Sequence, residues 1–242
     1  MIRTFKTNQV RKTEELSGSG WTFSPHSGPH KGEHFPVTVP CCWESLPNFS
    51  AYRGTSSFET TFWGGGRVRL VFKGISHTGI IYVDGHRIGS HYNAYTPFAV
   101  MAENLPEGEH QLRVEVDNAF SEKSALHIPN DYMTYGGISR GVVLEHIAGA
   151  YIEYIHGTPK RSVRGWDLML TARICNPEPE TKTYRLMLEA KGLGAAGEDI
   201  RLGAGETAEY SRTISVGEVR EWAPESPVLY DISALLLEGG KP

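Results

Sequence analysis

Apolar and polar residues alternate along much of the chain with the two-residue period of half-buried β-strands. Phe58, Thr60 and Phe62 fall on one face of a strand, with Glu59 and Thr61 opposite. Gln111-Leu112-Arg113-Val114-Glu115-Val116 alternates strictly. Between them, residues 67–72, 79–83 and 87–91 read as three strands of a meander, with Asp84-Gly85-His86 turning the second back on the third. Gly64-Gly65-Gly66 reads as a hairpin loop and Pro106-Glu107-Gly108-Glu109 as a turn before the alternating strand. Upstream, Trp21-Thr22-Phe23 is a short apolar start, and Phe35–Val39 alternates before Pro40. Nothing in this region reads as helical.

Val142-Val143-Leu144-Glu145-His146-Ile147 reads as a buried strand that closes a first domain over residues 1–148. Ala148-Gly149-Ala150 marks the boundary. Residues 151–155, 168–174, 184–190, 208–214 and 229–237 then read as the strands of a smaller sandwich filling 149–242. The expected class is therefore all-β, in two domains.

Just before the closing strand lies a stretch of different character, Asn130-Asp131-Tyr132-Met133-Thr134-Tyr135-Gly136-Gly137-Ile138-Ser139-Arg140-Gly141. Its adjacent glycines allow backbone conformations closed to other residues, and Asp131, two tyrosines and Arg140 supply charge, ring faces and hydrogen-bonding groups. Loops with such contents carry function more often than the strands that hold them. On its residue type alone, Asp131 reads first as a cap of its own loop.

Composition narrows the partners. The 242 residues hold 24 basic against 28 acidic side chains, a formal charge of -4. With no basic run, neither nucleic acid nor an anionic membrane is expected as a partner. The opening Met1-Ile2-Arg3-Thr4-Phe5-Lys6 lacks the apolar core of a secretory signal, and no stretch is long and apolar enough to span a bilayer, so the expected location is cytoplasmic. Cys41, Cys42 and Cys175 are odd in number and read as free thiols.

Other candidate chemistry is weak. His26, His30 and His34 recur every fourth residue, but Pro25, Gly28, Pro29, Gly32 and Pro36 break the helix that would gather them on a metal. No metal site or cofactor is expected. The glycine run lacks the following lysine and helix of a phosphate cradle, and no Gly-x-Ser-x-Gly elbow is present. Trp21, Trp43 and Trp63 could stack on sugar rings but read more readily as core.

Taken in order, the landmarks resemble the N-terminal part of family 2 glycoside hydrolases, the group of β-galactosidases, β-glucuronidases and β-mannosidases. Val39-Pro40 with Trp43-Glu44, Tyr52-Arg53-Gly54, Tyr82-Val83-Asp84-Gly85, Ile88-Gly89-Ser90-His91, Tyr95-Thr96-Pro97-Phe98, Val116-Asp117-Asn118 and Gly136-Gly137-Ile138-Ser139-Arg140 match in sequence. Trp222-Ala223-Pro224-Glu225-Ser226-Pro227-Val228-Leu229-Tyr230 is similar to the family's second-domain signature. Asp84 stands where asparagine is commoner. The resemblance implies a jelly-roll sugar-binding domain followed by an immunoglobulin-like β-sandwich lacking its last strand, both non-catalytic. It also implies that the two catalytic carboxylates belong to a (β/α)₈ barrel absent from this chain, whose size of about 250 residues leaves no room for it here. The chain is then expected to be an inactive scaffold of a retaining β-glycosidase with no catalytic residue of its own, the alternative being a stand-alone carbohydrate-binding module. Its implied partners are a carbohydrate substrate in the full-length enzyme, the missing barrel and, as is common in the family, further copies of itself. Within the resemblance Asp131 aligns with an aspartate that touches a substrate hydroxyl, which reverses its first reading, and Arg140 supports the base of the loop.

Overall fold

The computed structural model describes residues 11–121 and 133–241, and the chain divides into two compact units, Met1–Ala148 and Gly149–Pro242. Both are made of β-strands. Among the described residues the exception is one 3-10 turn at Trp43–Ser45.

The first unit contains β1 (Arg11–Glu15), β2 (Gly18–Pro25), β3 (Phe35–Val39), β4 (Cys41–Cys42), β5 (Thr55–Phe72), β6 (Thr78–Val83), β7 (His86–Tyr92), β8 (Phe98–Asp117), β9 (Gly137–Ile138) and β10 (Val142–Ile147). Its organising pair is β5 with β8, antiparallel from Thr55 opposite Asp117 to Phe72 opposite Phe98. Each of these strands is long enough to serve two sheets. The first half of β5 pairs with β2 and the second half with β10, while β6 joins the second half of β8. Beyond them β3 extends β2, β1 extends β10 and β7 extends β6. Strands that turn a corner and pass from one sheet to the other make this unit a jelly roll.

Two sequence expectations fail at that corner. Gly64-Gly65-Gly66 is not a hairpin loop but the middle of β5, and Pro106-Glu107-Gly108-Glu109 is not a turn but the middle of β8. The register slips between Gly64 and Val68, and Gly66 takes φ +64 there. Glycine and proline mark bulges as well as turns, and a bulge bends a strand without ending it. Nor do residues 67–72, 79–83 and 87–91 form a meander. β6 and β7 are a hairpin turned through Asp84 (φ 49) and Gly85 (φ 78), but β8 lies between them and β5. Two-residue turns with both φ positive match the twist of flanking strands, which is why Asp-Gly suits this one.

Alternation sends Phe58, Phe62, Leu112, Val114 and Val116 inward to meet Trp21, Phe23, Trp43, Leu70, Phe72 and Leu144. The Phe23 ring lies 5.1 Å from Phe49, 5.3 Å from Phe58 and 5.9 Å from Trp43. Full burial of one such side chain stabilises the fold by about 1.5–3 kcal/mol. On the opposite face of β10, the buried Glu145 carboxylate sits 2.7 Å from Arg11 and 2.7 Å from Arg69. Pairing on both oxygens is what allows that charge inside.

The second unit contains β11 (Tyr151–Ser162), β12 (Gly165–Cys175), β13 (Lys182–Ala190), β14 (Gly194–Leu202), β15 (Thr207–Gly217) and β16 (Ile232–Leu237). Two three-stranded sheets, in the orders β11-β12-β15 and β14-β13-β16, form an immunoglobulin-like sandwich. Leu170, Ala172 and Ile174 of one sheet close on Tyr184, Leu186, Leu188 and Ile200 of the other. The three cysteines are free thiols. No helix among the described residues is long and apolar enough to cross a membrane.

Candidate functional site

The described end of the 130–141 loop docks where β5 begins and β8 ends, and the sequence motifs that lie far apart in the chain meet there. Trp43 is fully buried against Phe58, with rings stacked at 6.4 Å, and its backbone N–H donates to Gly136 O at 3.0 Å. β4 and β9 pair Cys41 with Ile138 and Cys42 with Gly137. A side chain at Gly136 would run into the Trp43 indole, and one at Gly137 (φ +130) into the Cys41 carbonyl. The glycine pair is required because the loop presses its backbone onto a buried ring and a neighbouring strand.

Glu44 fastens this contact. Both of its carboxylate oxygens lie 3.0 Å from the Gly136 N–H, and Asn118 Nδ2 donates to Oε1 at 3.3 Å. Asn118 also donates to Thr134 O at 3.2 Å and accepts the Gly54 N–H at 3.1 Å. Arg53 donates to Thr134 O at 3.0 Å while its guanidinium covers the Phe120 ring at 4.6 Å. From the other side, Ser76 exchanges backbone hydrogen bonds with Gly137 at 2.9 and 3.0 Å, and its hydroxyl donates to Tyr135 O. Burial pushes the Glu44 carboxyl above the ordinary glutamate value, opposed by the Gly136 N–H and the Arg53 charge. Since both its oxygens face the Gly136 amide, this carboxylate holds the loop.

Asp131, the expected substrate contact, lies outside the described residues. Arg140 stands at the other end of the loop, where its backbone N–H meets Gly74 O at 3.4 Å and its guanidinium donates to Tyr95 O at 3.3 Å. Tyr95 and, nearer Ser76, Tyr135 are exposed. His77 follows Ser76 and crosses the Tyr92 ring edge-on at 4.6 Å; burial lowers its basicity, with Asp117 opposing. Glu44, Arg53, Ser76 and Asn118 were not singled out as site residues from sequence. Three of them stand inside the quoted motifs Trp43-Glu44, Tyr52-Arg53-Gly54 and Asp117-Asn118, so their shared purpose was the missing signal.

Elsewhere the spaced histidines have separate partners: His34 Nδ1 with Ser24 Oγ at 2.7 Å, His30 with Glu33 at 3.1 Å, His26 with Ser57 at 3.3 Å. Among the described residues no group of three His, Cys, Asp or Glu side chains could hold a metal ion.

Comparison with known proteins places this arrangement. Residues 32–148 match the family model for the sugar binding domain of glycosyl hydrolases family 2. The chain superposes on the family 2 β-galacturonidase of Eisenbergiella tayi with a TM-score of 0.88 and 43% identity, covering 98% of this chain and 42% of that one. A β-glucuronidase of Paenibacillus borealis is 24% identical over 96% of this chain and 44% of its own length. A β-galactosidase of Thermoanaerobacter pseudethanolicus is 26% identical over 83% of this chain and 29% of its own length. This chain thus spans less than half the length of these relatives. With the jelly roll, its sandwich companion and the convergent loop base as described, the chain belongs to family 2 of the glycosyl hydrolases and corresponds to their N-terminal region.

Proposed function

We propose that this chain is the N-terminal scaffold of a retaining β-glycosidase, presenting the Asp131 loop to a substrate held by a catalytic domain that supplies both reacting carboxylates. The observation that carries this reading is the loop base itself. Glu44, Arg53, Ser76 and Asn118, distant in sequence, converge on the described part of the loop, and the Glu44 carboxylate among them is committed to a backbone amide. A retaining enzyme needs two carboxyl groups about 5–5.5 Å apart across the scissile bond. Relatives more than twice as long support a further domain, and the 43% identical β-galacturonidase favours a β-uronide as the parent's substrate.

In that setting Asp131 accepts hydrogen bonds from sugar hydroxyls and is neither acid nor base. The test compares this chain alone with the enzyme in which it is joined to its catalytic domain, using nitrophenyl β-galacturonide, β-glucuronide and β-galactoside. The chain alone should be inert. In the full enzyme Asp131→Ala should lower kcat/KM by roughly ten- to a hundredfold, the worth of a charge-assisted hydrogen bond of about 1.5–3 kcal/mol, with melting unchanged. Turnover by the chain alone, or an Asp131→Ala enzyme with full activity, would overturn the reading.

A further inference from the structure

Of the three tryptophans that the sequence offers as core or as sugar platforms, two are core and one is not. Trp21 and Trp43 are 1% and 0% exposed, whereas Trp63 is 63% exposed. The period of β5 accounts for the difference: Phe62 points into the core, so Trp63 points out. It does so just before the glycine corner, roughly 30 Å along the strand from Gly54 at a rise of about 3.3 Å per residue.

The ring is not loose. Its Nε1–H donates to Glu107 Oε1 at 3.1 Å, across the corner from β8. Glu107 can reach it because residue 65 is glycine; a Cβ there would overlap the Glu107 carboxylate. The bulge, the glycine and the carboxylate thus combine to hold an indole face toward water. That arrangement costs side-chain entropy and leaves most of the residue exposed.

Below Trp63 runs a row of exposed polar groups on the same face of β5 and β8. Thr61 Oγ1 donates to Glu109 Oε1 at 3.3 Å, and Gln111 Nε2 to Glu59 Oε2 at 3.4 Å. Glu109 is directly opposite Trp63 and Gln111 opposite Thr61, so the side chains stand side by side.

We propose that this corner is a second carbohydrate-binding face, in which Trp63 stacks on a neutral pyranoside while Glu107, Glu109 and Gln111 take its hydroxyls. A pyranoside has an apolar C–H face, which an indole covers, and a rim of hydroxyl donors, which carboxylates and an amide oxygen accept. Glu107, hydrogen-bonded to the ring, and Glu109, directly opposite it, repel an anionic sugar, so uronates are excluded here. This inference stands independently of the catalytic reading, since neither Asp131 nor a further domain takes part.

The experiment uses the 242-residue chain, following indole N–H resonances by two-dimensional NMR while titrating methyl β-galactoside, cellobiose or sodium galacturonate. The Trp63 resonance, assigned by its loss in Trp63→Phe, should shift with the neutral sugars at millimolar concentrations and stay fixed with galacturonate. Trp63→Ala should weaken neutral-sugar binding, read at the backbone amides of Gly65 and Glu109, by about tenfold or more. Glu107→Gln keeps an acceptor for the indole but removes a charge; it should retain neutral-sugar binding and weaken the exclusion of galacturonate. Circular dichroism and melting of each variant report whether the fold is kept. A Trp63 resonance unmoved by every neutral sugar at tens of millimolar overturns the proposal. So does self-association of the chain that Trp63→Ala abolishes without any sugar response, which would make the face a protein interface.

Discussion

Gly136 and Gly137 look like any turn pair in sequence, and the structure gives each a separate necessity. Position 136 has no room because of Trp43; position 137 combines a positive φ with the nearby Cys41 carbonyl. Gly136→Ala should therefore destabilise the first unit by about 1–3 kcal/mol, the usual cost of overpacking, by pushing the loop off the ring it rests on. Denaturant melts read by tryptophan fluorescence would check this; an unchanged midpoint would mean that the loop and Trp43 move apart freely. The importance of the glycines was legible in the sequence. Their contacts were not, because Trp43 and Gly136 are brought together only by the fold.

Strands were legible where large apolar residues alternate with polar ones, as at Phe58, Thr60 and Phe62, and illegible where that contrast is missing. β1 is Arg-Lys-Thr-Glu-Glu, an edge strand without apolar residues, and β14 opens with Gly194-Ala195-Ala196-Gly197, too small to mark a face. Pairing partners were harder still, since alternation says which side of a strand is buried and nothing about which strand lies beside it. One unread link of this kind joins the β6–β7 hairpin to the corner of β8. His110, 3% exposed, has Nδ1 2.6 Å from Asp84 Oδ2 and Nε2 2.9 Å from Pro106 O, so both ring nitrogens face acceptors. Burial alone would push this imidazole down, but the Asp84 carboxylate and the Pro106 carbonyl hold it above the ordinary histidine value. The same bond, with the Gln111 N–H, holds the Asp84 carboxyl below its ordinary value. A raised histidine contributes stability below its unfolded value near 6.5 and loses it as pH rises through the folded one. A depressed aspartate contributes above its unfolded value near 3.8 and loses that as pH falls. The pair should stabilise the hairpin most between those two values; melting temperature should therefore decline as pH rises beyond the ordinary histidine value near 6.5, and Asp84→Asn should flatten that decline.

At the scale of the molecule, the two hydrophobic cores draw on different residues: from Trp21 to Leu144 in the first unit and from Leu170 to Ile214 in the second. A chain ending at Ala148 keeps the whole first core and should melt cooperatively by itself; a broad, non-cooperative melt would show that the first unit depends on the second. The family was legible at this scale because its motifs recur in order, and the structure shows what four of them share: Trp43-Glu44, Tyr52-Arg53-Gly54 and Asp117-Asn118 meet at the base of the loop that carries Gly136-Gly137.

The long pairing of β5 with β8 also bears on how the chain finds its fold. Phe72 and Phe98 are the closest of its partners along the sequence and Thr55 and Asp117 the most distant. The entropy lost in closing a loop grows with its length, so the ladder should start at the phenylalanine end and zip toward Thr55, crossing the glycine corner on the way. Contacts made early slow folding when removed, and contacts made late speed unfolding instead. Refolding kinetics should then separate the two ends: Phe98→Leu, which disturbs the stacked Phe72–Phe98 rings at 5.2 Å, retards folding, whereas Val116→Ala acts mainly on the unfolding rate. On that route the residues that seat the 130–141 loop are the last of this ladder to come together.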